Sequence, residues 1–234
     1  MKQVRRAFLL IALLSLCVLT ACGGDGDPSP TPTSEQPSPT APSPTPTAEP
    51  TPGPGSPPRV TLHMSDGNEI VLELYPDKAP NTVGNFLFRA EEGFYVNSEF
   101  EKLTPGQRVQ GGNPVGSILL EYTIKGEMSK NGFAQNDLTN VRGVVGMMRE
   151  DSYDSAFAEF YILTADYPAM DGEYCVFGKV IKGLEHVDAY TNGTGGAYME
   201  KLTTETYGVN YKENLEFQIS NLEGLGGNVQ VEVD

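Results

Sequence analysis

Residues 72–86 read LELYPDKAPNTVGNF, and residues 100–113 read FEKLTPGQRVQGGN. The first stretch opens with apolar–polar alternation, which is typical of a half-buried strand, and then passes through turn residues into a helical spacing of apolar side chains. The apolar positions that share one face of this helix are Val83, Phe86, Leu87 and Ala90. We expect Asn81 or Thr82 to cap the helix and Gly93 to end it.

Short alternating or apolar segments on both sides of this stretch predict further strands. Residues 60–64 alternate, and Asp66-Gly67 supplies a hairpin turn before residues 70–74. The later segments are 144–148, 160–163, 175–180 and 215–219 as strands and 184–190 as a second helix. This pattern predicts an all-β protein with minor α content, arranged as a closed antiparallel β-barrel. Whether residues 215–222 or 229–233 close the barrel is left open.

Residues 1–21 have the composition of an export signal. Three basic residues precede an apolar run at 7–18, which is shorter than the roughly 20 residues that a spanning helix needs. The alternative is a marginal transmembrane anchor. Leu19-Thr20-Ala21-Cys22 resembles the lipobox of bacterial lipoproteins, which implies that Cys22 carries lipid. The expected location is therefore extracytoplasmic, on a bacterial membrane, with the lipid on Cys22 as the anchor.

Residues 22–58 predict a disordered linker. Thirteen of the 18 prolines lie here, and large apolar side chains are almost absent, so the segment cannot form a core. A chain of this composition stays extended at about 3.1 Å per residue. We interpret it as a spacer between the membrane and a folded domain at residues 59–234, the alternative being a proline-rich ligand for a partner module.

Charge and composition exclude several classes of function. The formal net charge is −15, and so negative a surface repels phosphates, which excludes nucleic acid as a partner. Two histidines and three scattered cysteines offer no Cys/His metal cluster, so we expect no metal. Cys175 stands among apolar residues and is predicted to be a small core side chain.

Several segments, in the correct order, resemble the cyclophilins. Residues 72–86 are similar to the opening strand and helix of that family, and residues 100–113 to its F-H-R-x-x-P-G-F-x-x-Q-G-G-D motif. The further matches are RGVVGM at 142–147, EFYILT at 159–164, and DG at 171–172 with VFGKV at 176–180. The resemblance implies an eight-stranded barrel capped by two helices. It also implies peptidyl-prolyl cis–trans isomerase activity on proline-containing polypeptides, without a cofactor.

The same resemblance implies the site residues. Lys102 stands where the family has a catalytic arginine, and it keeps the charge but loses the planar fork of donors. Gln110 matches a glutamine that can hold a substrate carbonyl. The implied substrate-binding residues are Gln107, Arg108, Met148, Glu159, Tyr161, Met170 and Tyr174. We also hypothesise that Arg108 points into the same cleft and compensates for Lys102.

Several of these side chains differ from those usual in the family. Ala169, for example, stands where a tryptophan is common, which predicts weak cyclosporin binding. The sequence therefore supports two hypotheses. The first is an isomerase that assists the folding of exported proteins outside the cytoplasm. The alternative is a catalytically weak or inactive module that binds proline-containing peptides at the cell surface. A groove for some other, basic partner is a third possibility, because the exterior is acidic.

Overall fold

The first hairpin forms as the alternation predicts. In this computed structural model, which describes residues 53–104, 106–113, 122–193, 197–213, 215–218 and 229–230, strands β1 (Arg59–Met64) and β2 (Glu69–Leu74) pair antiparallel. Every second residue of each strand is buried, so each strand turns one face to the core.

Six more strands extend this hairpin into a curled antiparallel sheet of eight strands. They are β3 (Glu101–Thr104), β4 (Arg108–Gly111), β5 (Val144–Met147), β6 (Phe160–Leu163), β7 (Val176–Lys182) and β8 (Met199–Glu205). The strand order is β3-β4-β6-β5-β7-β2-β1-β8, which leaves β3 and β8 at the two edges.

The two edge strands approach each other at one end. Asn97 N donates to the carbonyl of Met199 at 2.8 Å, Met199 N donates to the carbonyl of Ser98 at 2.9 Å, and Glu99 forms a single bridge with Tyr198. No continuous ladder joins β3 to β8 among the described residues. The prediction of a mostly β, antiparallel fold with two helices is therefore confirmed, whereas the closed eight-stranded barrel stays a prediction.

The N-cap of the first helix, α1 (Pro80–Glu91), lies two or three residues before the predicted cap. Neither Asn81 nor Thr82 is the N-cap; both lie inside the helix, whose N-cap is Ala79. The free backbone N–H groups of Asn81 and Thr82 donate instead to the carboxylate of Glu127, at 3.0 and 2.8 Å. The predicted cap was wrong because the acceptor comes from a segment 45 residues away from Thr82.

The C-terminal prediction also needs correction. The strand that pairs with β1 at the edge is β8, and the strands in the described parts of residues 215–222 and 229–233 lie outside this sheet. Within those two segments, β9 (Glu216–Phe217) and β10 (Val229–Gln230) form a separate pair. The second helix, α2 (Leu184–Thr191), forms where it was predicted and directly follows Gly183.

The core is rich in aromatic rings. Phe86 of α1 contacts Phe160 of β6 and Phe177 of β7, with ring centroids 5.3 and 5.1 Å apart. Cys175 is buried, as predicted, and burial raises the pKa of its thiol to about 12. In the part of the chain that the structure describes, no helix is long and apolar enough to cross a membrane. Residues 1–52, with Cys22 and most of the linker, lie outside that part.

Candidate active site

Three neighbouring strands, β4, β6 and β5, place candidate site residues in one row. Gln110 of β4 pairs with Tyr161 of β6, and Tyr161 pairs in turn with Gly146 of β5. Residues that pair directly across antiparallel strands share a face of the sheet. A Cβ atom at Gly146 would lie 2.1 Å from Cζ of Tyr161, so the absence of a side chain there makes room for the tyrosine ring.

Tyr161 is fully buried in a small apolar cluster, separate from the main core, with which three other predicted site residues pack. These residues are Met148, Met170 and Tyr174. The rings of Tyr174 and Tyr161 meet edge to face, with centroids 6.0 Å apart. Burial raises the pKa of the Tyr161 hydroxyl well above its usual value, so the hydroxyl stays protonated and can donate. The fold thus brings together apolar residues from distant parts of the sequence.

A chain of hydrogen bonds holds this cluster in place. The hydroxyl of Tyr161 donates to Oδ1 of the buried Asn140 at 2.5 Å. The backbone N and Nδ2 of Asn140 donate to Oδ1 of Asp171, at 2.6 and 3.2 Å. Because Asp171 directly follows the short 3-10 turn Pro168–Met170, these bonds tie Met170 to the tyrosine ring. Sequence reasoning missed Asn140, and the only signal for it was that a buried tyrosine hydroxyl needs a partner.

The carboxamide of Gln110 is buried and makes one side-chain hydrogen bond. Nε2 donates to Oε2 of Glu159 at 2.7 Å, whereas Oε1 is buried and has no hydrogen-bond partner. Burial raises the pKa of the Glu159 carboxyl, and the nearby carboxylates of Glu101 and Glu150 raise it further, while the bond from Gln110 opposes them. Two predicted site residues, Gln110 and Glu159, are thus direct partners.

Arg108 places a positive charge beside the apolar cluster. Its Nη1 lies 3.3 Å from Sδ of Met170, and its Nε is buried without a hydrogen-bond partner. The wall of the cluster is therefore cationic at this point. Gln107, in the turn before β4, is half-buried, and its carbonyl accepts a hydrogen bond from Thr164 N at 2.8 Å.

Lys102 lies in β3, and its side chain is outside the described part of the chain. Glu101 pairs with Gln110 and Thr104 pairs with Arg108, so β3 contains one residue more than β4 between these pairs. Such a bulge changes the direction of side chains and is common beside active sites. The catalytic role of Lys102, and its cooperation with Arg108, stay predictions.

Arg149 supports the site from the side of Tyr174. Its guanidinium carbon lies 4.7 Å from the ring centroids of both Tyr153 and Tyr174. Its Nε donates to the carbonyl of Glu173 at 3.0 Å, and the Glu173 carboxylate accepts a bond from Tyr153 and pairs with Lys130. Arg149 therefore fixes the position of Tyr174, a role that sequence reasoning did not assign.

The described residues do not form a metal-binding site. No group of three or more His, Cys, Asp or Glu side chains in that part of the chain could hold a metal ion.

Comparisons with known proteins agree with this geometry. Residues 59–209 match the family model described as "Cyclophilin type peptidyl-prolyl cis-trans isomerase/CLD". Peptidyl-prolyl cis-trans isomerase B of Bacillus subtilis (strain 168) is 39% identical over 132 residues, which are 56% of this chain and 88% of that protein. Peptidyl-prolyl cis-trans isomerase B of Escherichia coli (strain K12) is 38% identical over 140 residues, covering 55% and 81%.

A solved structure shows the same fold. The crystal structure of a cyclophilin type peptidyl-prolyl cis-trans isomerase from Cryptosporidium parvum superposes with a TM-score of 0.54 at 22% identity, and the match covers 63% of this chain and 97% of that one. The family match spans the hairpin, both helices and all the candidate site residues. This chain belongs to the cyclophilin-type peptidyl-prolyl cis–trans isomerase family.

Proposed function

We propose that this protein isomerises X–Pro bonds of exported polypeptides and assists their folding outside the cytoplasm. The observation that carries the isomerase part is the pairing of Gln110 with Tyr161 across β4 and β6, next to the cluster that contains Met170. This pairing places a carboxamide beside an apolar cluster. A carboxamide can hold a peptide bond, and an apolar cluster can hold a proline ring.

The chemistry requires positioning rather than bond formation. Rotation about a peptide bond faces a barrier of about 18–20 kcal/mol because of amide resonance. An enzyme lowers it by binding the twisted amide more tightly than the planar one, with a donor directed at the pyramidal nitrogen or the adjacent carbonyl. Here the proline ring is expected to pack against the partly buried Met148 and Tyr174, which contact the cluster of the fully buried Tyr161. Gln110 is expected to hold the neighbouring peptide, and Lys102 to supply the donor.

The location outside the cytoplasm rests on the N-terminal sequence. The basic and apolar segments, followed by Leu-Thr-Ala-Cys, support export and lipid attachment at Cys22. The proline-rich linker at 22–58 would then hold the domain away from the membrane surface. Slow proline isomerisation limits the folding of many chains, so an isomerase at this place would act on newly exported proteins.

Closure of the sheet into a barrel is part of the same proposal. The contacts of Asn97, Ser98 and Glu99 with Tyr198 and Met199 support it, because they join the two edges of the sheet at one end. A closed sheet has no free edge strands. Closure would therefore hold the strands of the site firmly in place.

One observation favours a second candidate function, a peptide-binding module with weak or no catalysis. The guanidinium of Arg108 lies against Met170, at the wall where the proline ring is expected. Burying a polar wall group in contact with an apolar ring lowers affinity by about 1–3 kcal/mol. Such a module would bind proline-containing peptides without accelerating isomerisation.

Exchange NMR on a short X–Pro peptide separates the two candidates without a coupled protease. We expect faster cis–trans exchange with the wild-type protein, and a large loss in Lys102→Ala and in Gln110→Ala. Glu200→Gln, an exposed substitution on the edge strand β8, is the matched control and is expected to keep the wild-type rate. Peptide binding with exchange at the uncatalysed rate would exclude the isomerase and support the binding module.

A further inference from the structure

The hydrogen bond between Gln110 and Glu159 fixes the orientation of the Gln110 carboxamide. An ionised carboxylate accepts hydrogen bonds and cannot donate them. Glu159 therefore holds the NH2 group of Gln110 towards itself, at 2.7 Å between Nε2 and Oε2. An NH2 group has two N–H donors, and the proposed isomerase would use the second one to hold a substrate carbonyl. A neutral carboxamide or a protonated acid at position 159 could bond to either end of Gln110, so it would not fix this orientation.

The environment of Glu159 makes its charge sensitive to pH. Its side chain is partly buried, and the negative charges of Glu101, in β3, and of Glu150, after β5, disfavour a further negative charge on it. All three effects disfavour the ionised form, and only the hydrogen bond from Gln110 favours it. The proton therefore binds at a higher pH than it would on an exposed glutamate.

Protonation would change the hydrogen bonding of Gln110. The Oε1 atom of Gln110 is now buried and without a partner, which is an unfavourable state for an acceptor. A protonated Glu159 carries an O–H donor that could bond to this oxygen if the carboxamide turned over. The fixed orientation of Gln110 would then be lost.

We propose that Glu159 is a positioning residue whose negative charge orients the carboxamide of Gln110 for catalysis, and that isomerisation slows in acid when this charge is neutralised. This inference rests on the proposed isomerase function. It assigns to Glu159 a role distinct from substrate contact, because the residue acts through Gln110. It also adds a regulation to the site, since acidification outside the cytoplasm would reduce turnover.

The test compares the pH profile of kcat/KM for the wild type with that of Glu159→Gln. We expect the wild-type value to fall towards acid by up to about tenfold per pH unit once Glu159 binds its proton, as for one essential group, and to begin falling at a higher pH than an exposed glutamate would titrate. Glu159→Gln should keep measurable activity with a flat profile, because it retains a hydrogen-bonding side chain that does not titrate. Glu200→Gln should follow the wild type. Identical profiles for wild type and Glu159→Gln would overturn the proposal.

A second readout does not depend on activity. The side-chain NH2 signals of Gln110 in a ¹⁵N-correlated NMR spectrum, assigned by their loss in Gln110→Ala, should shift with pH in the wild type and stay constant in Glu159→Gln. A titrating signal in a protein without turnover would exclude the proposed function while keeping the link between the two residues. A signal that does not titrate in an active enzyme would overturn the inference alone.

Discussion

Replacing Tyr161 with phenylalanine tests whether the hydrogen-bond chain behind the site is real. The change removes one hydroxyl and keeps the ring and its contacts. The hydroxyl donates to Oδ1 of Asn140 at 2.5 Å, and Asn140 is only 1% exposed, so water cannot take its place. Leaving a buried acceptor unpaired costs about 1–3 kcal/mol. A domain of this size loses about 2–4 °C of melting temperature per kcal/mol, so we expect a decrease of about 2–12 °C.

Urea unfolding of wild type and Tyr161→Phe measures this loss directly, with the slope m unchanged if only the native state is affected. Tyr198→Phe is the matched control, because Tyr198 is 38% exposed and its replacement should leave the unfolding free energy unaltered. Asn140→Ala removes the same bond from the other side, so the double variant should be destabilised by less than the sum of the single changes. Wild-type stability in Tyr161→Phe would refute the reasoning.

Four further outcomes follow from other contacts. Glu127→Ala removes the acceptor for the first N–H groups of α1 and should lower the unfolding free energy by about 1–3 kcal/mol, and unchanged stability in urea would contradict the assigned cap. Gly146→Ala places a methyl group 2.1 Å from the ring of Tyr161. It should lower the unfolding free energy by about 1–3 kcal/mol and also lower kcat/KM. A fully active, stable variant would show that the ring is free to move. Hydrogen bonds from Lys130 and Tyr153 lower the pKa of Glu173. Wild type should therefore be more stable than Glu173→Gln at neutral pH, and this difference should disappear as the pH falls through the lowered pKa. A difference in stability that persists unchanged into strong acid would disprove the pairing. Lys102→Arg should keep or raise kcat/KM, and a large loss would assign Lys102 another role.

Much of the fold could be predicted because its signals are local. The hairpin of β1 and β2 and both helices follow from alternation, helical spacing and the glycines at their ends. The cap of α1 could not be predicted, since its acceptor, Glu127, is brought to the helix only by the tertiary fold. The first backbone N–H groups of a helix can donate to any acceptor that the fold brings near them. Sequence preferences for capping residues therefore predicted the wrong cap.

Strand β8 was missed for a related reason. It reads MEKLTTE, and most of its residues are at least partly exposed, so it lacks the apolar alternation that reveals a half-buried strand. Edge strands are commonly charged in this way. The more apolar segment around Phe217 was a stronger signal, but it pairs with β10 outside the main sheet.

The candidate site, too, could be predicted only in part. The resemblance brought Gln110, Glu159 and Tyr161 into consideration, and the register of β4 and β6 explains why they lie together. The polarity of the Gln110–Glu159 bond could not be inferred, because it depends on which atoms are within hydrogen-bond distance. Asn140 and Arg149 were missed because each acts through contacts between segments that are distant in the sequence.

The most direct test of the central claim is the rate of cis–trans exchange in an X–Pro peptide, measured by NMR with the purified wild-type protein and with Gln110→Ala. We predict exchange well above the uncatalysed rate for wild type and a large decrease for the variant, with Glu200→Gln as active as wild type. An uncatalysed rate in the presence of correctly folded wild-type protein, or full activity in Gln110→Ala, would contradict the account.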